Sequence, residues 1–476
     1  MKGSMLLPDL QIMIFCRKSL CAQEASIYIP MKEISEQGVS TAPSFERNVL
    51  INFWQKALAA LQELQNPLGL MASGQGDHFH AIFGRDSLWT VQLALKAIRH
   101  LPESERQEGG VYASYHNWLH GLASNVLLGL GQLQGQEVND ANEEQPGRIV
   151  HEYWEPVPPN MVEAHWPVVD GNGRYYGAFD ATFLYISTIA QIDDYFNDRD
   201  LLEKLWPHVH AALLWMLNWS DLDQDGLVEY ARRNPGGYGL PNQIWKDSSD
   251  SVLSPDDLSL NHPLAWIEVQ GYALDAYNAY ITLATKLERM DADLLPQIEQ
   301  RIDGLRQGLA SFWLEQENIH AMAIDGQKKQ IPLVASNPGH LLWSQAVDEQ
   351  QARQISERLL KADMMTPWGL RTLSDQAYCY DPFNYHRGTI WPFDNAIIAA
   401  GMESYGFDTQ ARTVAHSVLQ ALSTIDNPVE LYMVLPSQVI RAPQIQQLWA
   451  LVDYRQACNV QAWTAAATLY MVSLFL

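Results

Sequence analysis

The stretch YHRGTIWPFDN, residues 385–395, closes a long loop and opens a helix. Pro392 suits a first helical turn, where a missing N–H is not needed, and Tyr385, His386, Arg387, Trp391 and Asp394 load the approach with rings and charges. The same plan recurs in FGRDSLW (83–89), YYGAFDAT (175–182), HPLAWIEVQG (262–271), SNPGHLLW (336–343) and NVQAWTAA (459–466). One such start is ordinary capping chemistry, because Asp and Ser often begin helices. Six together predict a shared site.

The helical period supplies the frame for these starts. FERNVLINFWQKALAALQELQ puts Val49, Phe53, Leu58, Leu61 and Leu64 on one stripe, and Asn66-Pro67 ends it. Further apolar periods predict helices near 85–100, 111–133, 178–196, 200–219, 265–288, 294–315, 338–346, 348–362, 392–405, 408–423 and 461–475. Short links, such as DRD near 200 and FD near 407, alternate with long Gly/Pro-rich loops. The long loops precede every even-numbered helix, so the even helices should start at one end.

This alternation predicts an all-α fold, an (α/α)6 barrel of six helical hairpins with short β segments in the long loops. Even-numbered helices would lie inside, with their amino termini around one mouth. Residues 1–43 lack a period and are expected to form an arm, and 44–476 a single catalytic barrel.

Composition narrows the partners. A formal net charge of -24 argues against nucleic acid and anionic membranes, both of which need a basic surface. No apolar run reaches 18 residues, so no membrane span is expected. In MLLPDLQIMIFCRKSLCAQ, Asp9 and Gln11 break the apolar run and Arg17 and Lys18 follow it, so the segment does not read as a signal peptide. Cys16, Cys21, Cys379 and Cys458 lack metal or disulfide spacing, and a reducing, cytoplasmic compartment is expected.

The rings, amides and carboxylates of the six starts suit a sugar, which stacks on aromatic faces and offers paired hydroxyls. The candidate lining is Arg85, Asp86 and Trp89; Tyr176 and Asp180; Glu268 and Gln270; His340; Tyr385, His386, Arg387, Trp391 and Asp394; and Gln461 and Trp463. Trp245 and Lys246, in the long loop before the sixth helix, join them. The implied partner is a small carbohydrate, and no cofactor is called for.

Glycoside hydrolysis needs an acid to protonate the leaving oxygen and a second carboxylate to activate water or attack carbon. GYGLPNQIWKDSSDS, residues 237–251, offers Asp247 and Asp250 in that same loop before the sixth helix. Trp245 could supply an apolar wall that raises the pKa of Asp247, provided the cation of Lys246 points elsewhere. Glu430 in NPVELYMVLP, flanked by Val429, Leu431 and Tyr432, is a candidate second acid, with Glu268 and Asp86 as rivals.

DLDQDGLVEY carries Asp221, Asp223, Asp225 and Gly226, half of an EF-hand loop, but its twelfth position is Arg232. It reads as a tight turn. Without paired histidine spacing, no metal site is expected.

In order, FGRDSL, YYGAFDAT, DQDGLVEYARR, NQIWKDSSDS, EVQGY, SNPGHLLW, WGLRTL, YHRGTIWPFDNAIIAAG and QAWTAA resemble motifs of the bacterial amylo-α-1,6-glucosidase-like family, related to the glucosidase part of glycogen debranching enzymes. The resemblance runs from about residue 70 to the end. It implies the six-hairpin glycosidase fold and inverting, exo-acting hydrolysis of an α-glucoside. It also implies Asp247 as acid, Glu430 as base, and Arg85, Asp86, Trp391, Asp394 and Trp463 as holders of the terminal sugar.

Departures from that family affect the substrate. No β-rich domain precedes the first helix, so polymer binding is not expected. Ile244 and Ser249 replace expected glycines beside the acid, which implies a reshaped leaving-group side. Arg387 stands where an amide is expected, which brings in a small anionic solute glycoside such as glucosylglycerate, with glucosylglycerol beside it. A non-catalytic sugar-binding barrel is the alternative of another class. A phosphorylase would need a phosphate cradle, for which Lys246 is the sole candidate.

Overall fold

The structure is a computed structural model that describes residues 12–14, 23–25, 27–28, 45–103, 112–163, 166, 173–234, 236–237, 239–253, 260–436 and 449–476. Most of the expected arm, with Cys16, Cys21 and the apolar leader-like run apart from Ile12–Ile14 and Gln23, lies outside these residues.

The long helices are α1 (Arg47–Glu63), α2 (Gly84–His100), α3 (Ala113–Gln132), α4 (Ala181–Phe196), α5 (Arg199–Trp219), α6 (Ile267–Lys286) and α7 (Leu295–Leu309). After the single turn α8 (His340–Trp343) they continue with α9 (Glu349–Leu359), α10 (Pro392–Ser404), α11 (Asp408–Ile425) and α12 (Ala462–Ser473). Their order and positions follow the sequence expectation closely.

Two kinds of helix alternate. In α2, α4, α6, α10 and α12 buried residues run almost without interruption, as befits helices enclosed on all sides. α1, α5, α7 and α11 bury one stripe and face solvent on the other. The even members pack in a closed cycle: α2 on α4, α4 on α6, α6 on α8, α8 on α10, α10 on α12, and α12 back on α2. α3, α5, α7 and α11 lie against α2, α4, α6 and α10, and α1 lies against α12.

Several short strands pin the starts of the even helices. β1 (Ile82–Phe83) runs straight into α2 and pairs with β2 (Glu152–Trp154), which pairs with β3 (Gly173–Tyr175). This register sets Glu152 opposite both Phe83 and Tyr175. β4 (Ala265–Trp266) likewise precedes α6, and isolated bridges join Ile390 to Tyr432 before α10 and Ser73 to Gln461 before α12. Beyond Glu430, β5 (Tyr432–Pro436) pairs with β6 (Trp449–Asp453), on whose far edge Ile27–Tyr28 adds a strand.

Three details differ from the expectation. The buried stripe of α1 is Leu50, Trp54, Ala57 and Leu61, while Val49 is exposed, because the Trp54 ring packs edge-on against Tyr112 and Tyr115. α7 ends at Leu309, where a 3-10 turn leads to a hairpin pairing Trp313 with His320; its apolar strand residues mimic a continuing helix. α8 is a single turn after the 3-10 turn Asn337–Gly339, halted where Gln345 takes a left-handed φ of 49°.

Candidate active site

Asp247 lies in the loop that the sequence reading singled out. Its Oδ2 accepts from Arg85 Nη2 at 3.0 Å, and Arg85 Nη1 donates to both oxygens of Asp180 at 3.0 and 3.1 Å. Thus the starts of α2 and α4 converge on the loop before α6 through one guanidinium. Asp180 is fully buried, whereas Asp247 keeps 25 % of its side chain exposed, so a ligand can reach it. Burial pushes the Asp247 carboxyl up to about 6, and the Arg85 charge opposes the rise. Burial also raises Asp86, to about 7, where Gln461 Nε2 donates to its Oδ1 at 2.9 Å.

Glu430 enters from the loop before α12. Cys458 N–H donates to its Oε2 at 3.0 Å, the Tyr385 hydroxyl donates to its Oε1, and its backbone N–H reaches Cys458 O at 3.0 Å. Burial lifts its carboxyl to about 8 despite those two donors, with the charges of Asp86 and Asp247 adding to the rise. Asp247 and Glu430 therefore sense each other's charge without sharing a hydrogen bond.

Aromatic rings wall this region. Trp391 packs edge-on against Trp463 at 5.8 Å and Tyr385 at 4.9 Å, and stacks on His386 at 5.1 Å. Trp463 stacks on Phe393 at 3.7 Å. The indole nitrogens of Trp245 and Trp463, Gln461 Oε1, Asp394 Oδ2 and His386 Nε2 are buried without a protein partner. Buried polar atoms left unsatisfied are uncommon in a folded protein and cluster here around the two carboxylates.

Other expected lining residues serve the framework instead. Lys246 is fully buried, with Nζ donating to Asn337 Oδ1 and Thr372 O, both at 2.7 Å. With its ammonium committed to those two buried oxygens it offers no phosphate cradle, and burial lowers its pKa to about 8. Glu268, raised by burial to about 7, accepts from Asn337 Nδ2 at 2.8 Å behind the site. Gln270 clamps Val228 and Trp266 through backbone bonds, and the Tyr176 hydroxyl donates to Leu133 O. His340 bridges Asp394, at 2.7 Å, and Tyr272, while Trp89 packs among Tyr272, His340 and Trp343.

Arg387 also departs from expectation. Its Nη1 donates to Cys379 O at 2.9 Å and its Nη2 reaches Asp250 Oδ2 at 3.5 Å, so the guanidinium braces loops. Asp250 takes the supporting role, also accepting from Asn384 Nδ2. Ile244 is fully buried and Ser249 is exposed. Among the aspartates of the EF-hand-like turn, Lys328 Nζ sits 2.5 Å from Asp223 and 2.6 Å from Asp225, and Arg301 pairs with Asp221. A side-chain ammonium thus occupies the place a cation would take.

Glu152 went unnoticed in the sequence. It is buried, burial raises it to about 7, and it feels the charge of Asp247. The signal available was an acid followed by two aromatic residues in EYW, a pattern that also marks an ordinary strand.

Buried carboxylates, a guanidinium between two of them, and aromatic walls at one end of a helical ring define the class, an α-helical carbohydrate hydrolase. A family model for the mannosylglycerate hydrolase MGH1-like glycoside hydrolase domain matches residues 179–432, more than half of the chain. The chain belongs to that family and is a glycoside hydrolase.

The fold is similar to that of the GH63 mannosylglycerate hydrolase from Thermus thermophilus in complex with Tris, with TM-score 0.60 and 14% identity over 88% of this chain and 99% of that one. The same enzyme in complex with Tris and D-glycerate gives TM-score 0.61 at the same identity and coverage. A rhamnosidase from Klebsiella oxytoca with rhamnose bound matches with TM-score 0.53 and 14% identity, over 92% of this chain and 66% of that one. No curated protein matches by sequence. Among the described residues, no helix is long and apolar enough to cross a membrane.

Proposed function

We propose that the protein is an inverting, exo-acting hydrolase that removes one terminal hexose from a small α-glycoside. The closed cycle of even-numbered helices, with odd-numbered partners outside, supports reading the fold as an (α/α)6 barrel. The observation that carries the function is the convergence of Asp247 and Glu430 from separate loops, both raised by burial and each held by one dedicated side chain, Arg85 or Tyr385.

In this reading Asp247 gives its proton to the glycosidic oxygen as the bond to the anomeric carbon breaks. Glu430 takes a proton from a water whose oxygen attacks that carbon from the opposite face. The products are an alcohol and a hexose of inverted anomeric configuration, and the two carboxyls exchange protonation states, to be reset through solvent. Such a mechanism needs carboxyls about 6.5–9.5 Å apart. Arg85, Asp86, Trp391, Asp394 and Trp463 would hold the terminal sugar through hydrogen bonds and ring faces.

The family match supports a solute glycoside more than an α-1,6 branch of a glucan. The buried free thiols of Cys379 and Cys458 support a reducing, cytoplasmic setting. The test is a panel of isomaltose, maltose, sucrose, trehalose, glucosylglycerol, glucosylglycerate and mannosylglycerate, with the product anomer read by NMR. Turnover with inversion is expected. Retention of configuration overturns the mechanism, and binding without turnover supports a non-catalytic barrel.

A further inference from the structure

Asp247 and Glu430 come from loops far apart in the chain, yet one short turn grips both loops. It is the segment 384–387, Asn-Tyr-His-Arg, on the approach to α10. The Tyr385 hydroxyl donates to Glu430 Oε1, and the next side chain, His386, brings Nδ1 to 2.8 Å from Ser248 Oγ, one residue beyond Asp247. Asn384 and Arg387 both reach Asp250 Oδ2, two residues further on. Three of the four side chains therefore hold the loop of Asp247, and the fourth holds Glu430.

The turn is itself stiff. Asn384 N–H donates to Asp381 O at 3.0 Å and Asp381 N–H to Arg387 O at 2.8 Å, which closes the segment on itself. Asn384 Oδ1 accepts from His386 N–H at 3.1 Å. The Tyr385 carbonyl accepts from Thr389 Oγ1 at 2.6 Å and from Trp391 Nε1 at 3.1 Å. The His386 ring stacks on Trp391 and meets Trp245 edge-on, with centroids 5.1 and 5.7 Å apart. A side chain locked in this way by packing passes its position on to its hydrogen-bond partner.

Ser248 is the point where that position is received. Its carbonyl accepts from Asn242 Nδ2 at 2.8 Å and its hydroxyl meets His386, so the residue next to the acid is held from two directions. Arg85 fixes one oxygen of the Asp247 carboxyl, whereas the Ser248 contact fixes the main chain that carries it. Burial, with the charges of Lys246 and Arg85 adding to it, pushes the His386 pKa well below its ordinary value. The ring is therefore neutral, which suits its place: an imidazolium there would favour the ionised form of Asp247 and work against proton donation.

We propose that His386 is a positioning residue for the proton donor, acting through Ser248, and that the 384–387 turn sets the gap between the two carboxyls. The proposal rests on reading Asp247 as the acid and Glu430 as the base.

Ser248→Ala deletes the contact without touching the ring, and His386→Phe deletes it while keeping a ring against Trp391. Each is assayed on the alkyl glycoside that the wild type turns over fastest and on the 4-nitrophenyl glycoside of the same sugar, whose phenol leaves with little help from a proton. A misplacement of about 1 Å can cost on the order of 10²-fold. Both variants should therefore lose about tenfold or more in kcat on the alkyl substrate, with KM within about twofold, and less than about threefold on the nitrophenyl glycoside. The double variant should be no slower than the slower single one, because both changes remove the same hydrogen bond. Ser248→Thr, which keeps the hydroxyl, should recover most of the loss. Equal losses on the two substrates, additive losses, or an undiminished Ser248→Ala enzyme overturn the proposal. A crystal structure of the Ser248→Ala protein decides it without turnover: the Asp247 carboxyl should be displaced relative to Glu430, and an unmoved carboxyl refutes the positioning role. Asp247→Asn on the same two substrates tests the underlying reading, since a loss there that does not favour the alkyl substrate places the acid elsewhere.

Discussion

Arg85 Nη2 lies 3.0 Å from Asp247 Oδ2, and the other terminal nitrogen of the same guanidinium holds Asp180. One arginine therefore fixes the acid and compensates a carboxylate that has no access to water. Replacing Arg85 by Ala leaves Asp180 buried and unpaired, a change that typically costs about 3–5 kcal/mol. Arg85→Ala should lose that much in denaturant melts and at least a hundredfold in kcat/KM. Arg85→Lys, which keeps the charge but not the fork, should fall between.

The two carboxylates should fail differently. Asp247→Asn should cut turnover of alkyl glycosides by roughly 10²–10⁴-fold but spare aryl glycosides whose phenol leaves without a proton. Glu430→Gln should slow both alike, and azide should rescue it by attacking in place of water, giving a glycosyl azide of inverted configuration. Azide rescue of Asp247→Asn instead would exchange the two roles.

The resting proton order is opposite to the working one. Glu430, at about 8, holds its proton more tightly than Asp247, at about 6, yet catalysis needs Asp247 protonated and Glu430 ionised. A bell-shaped kcat/KM profile between those values follows, with the productive form on the order of 1% of free enzyme at its maximum near pH 7. Tyr385→Phe removes a donor that favours the Glu430 carboxylate, so the alkaline limb should move up and the maximum fall. Movement of the acidic limb would reverse the order.

Stability should fall as pH rises. Glu430 has an ordinary value near 4.5 and about 8 in the fold, so the folded state binds more protons than the unfolded chain between those values. The penalty is absent below 4.5 and complete above 8. Asp86, Glu152 and Glu268 act in the same direction up to about 7. Glu430→Gln should therefore raise Tm on the order of 2 °C at pH 8, with little change at pH 4.5. Equal shifts at both pH values would refute this account.

Lys328 stands where a metal could. Calcium and chelators should leave wild-type Tm unchanged, whereas Lys328→Ala frees Asp223 and Asp225, whose oxygens lie within 4.8 Å of Asp221. That variant should melt lower and recover with millimolar calcium. Calcium-dependent melting of the wild type would show the ammonium to be displaceable.

Much of this architecture was legible because it is periodic. Loop length alone separated the even helices from the odd, and burial follows the same alternation from α2 to α12. Glu430 stood out because an acid among apolar neighbours needs a reason, and Asp247 because it shares one loop with a second carboxylate, a tryptophan and a lysine. Side-chain direction was not legible: Gln270, Tyr176, Lys246 and Arg387 sit in the same helix starts and loops as Asp86 and Asp180, yet turn to backbone partners. Sequence spacing places a residue at the mouth but does not say which way it faces. Glu152 was missed for the converse reason, since only strand pairing brings it beside the site.

α12 follows every other member of the ring in the chain, yet it packs against α2, the first. During synthesis, then, the faces of α1 and α2 that α12 covers stay bare until almost the whole chain has emerged. Closure is a non-local event with a large loop-entropy cost, which favours slow folding and leaves time for wrong contacts. A chain truncated before α12 loses more than one wall: α1, α2 and α10 each keep an uncovered apolar face, and such fragments should depend on chaperones or aggregate.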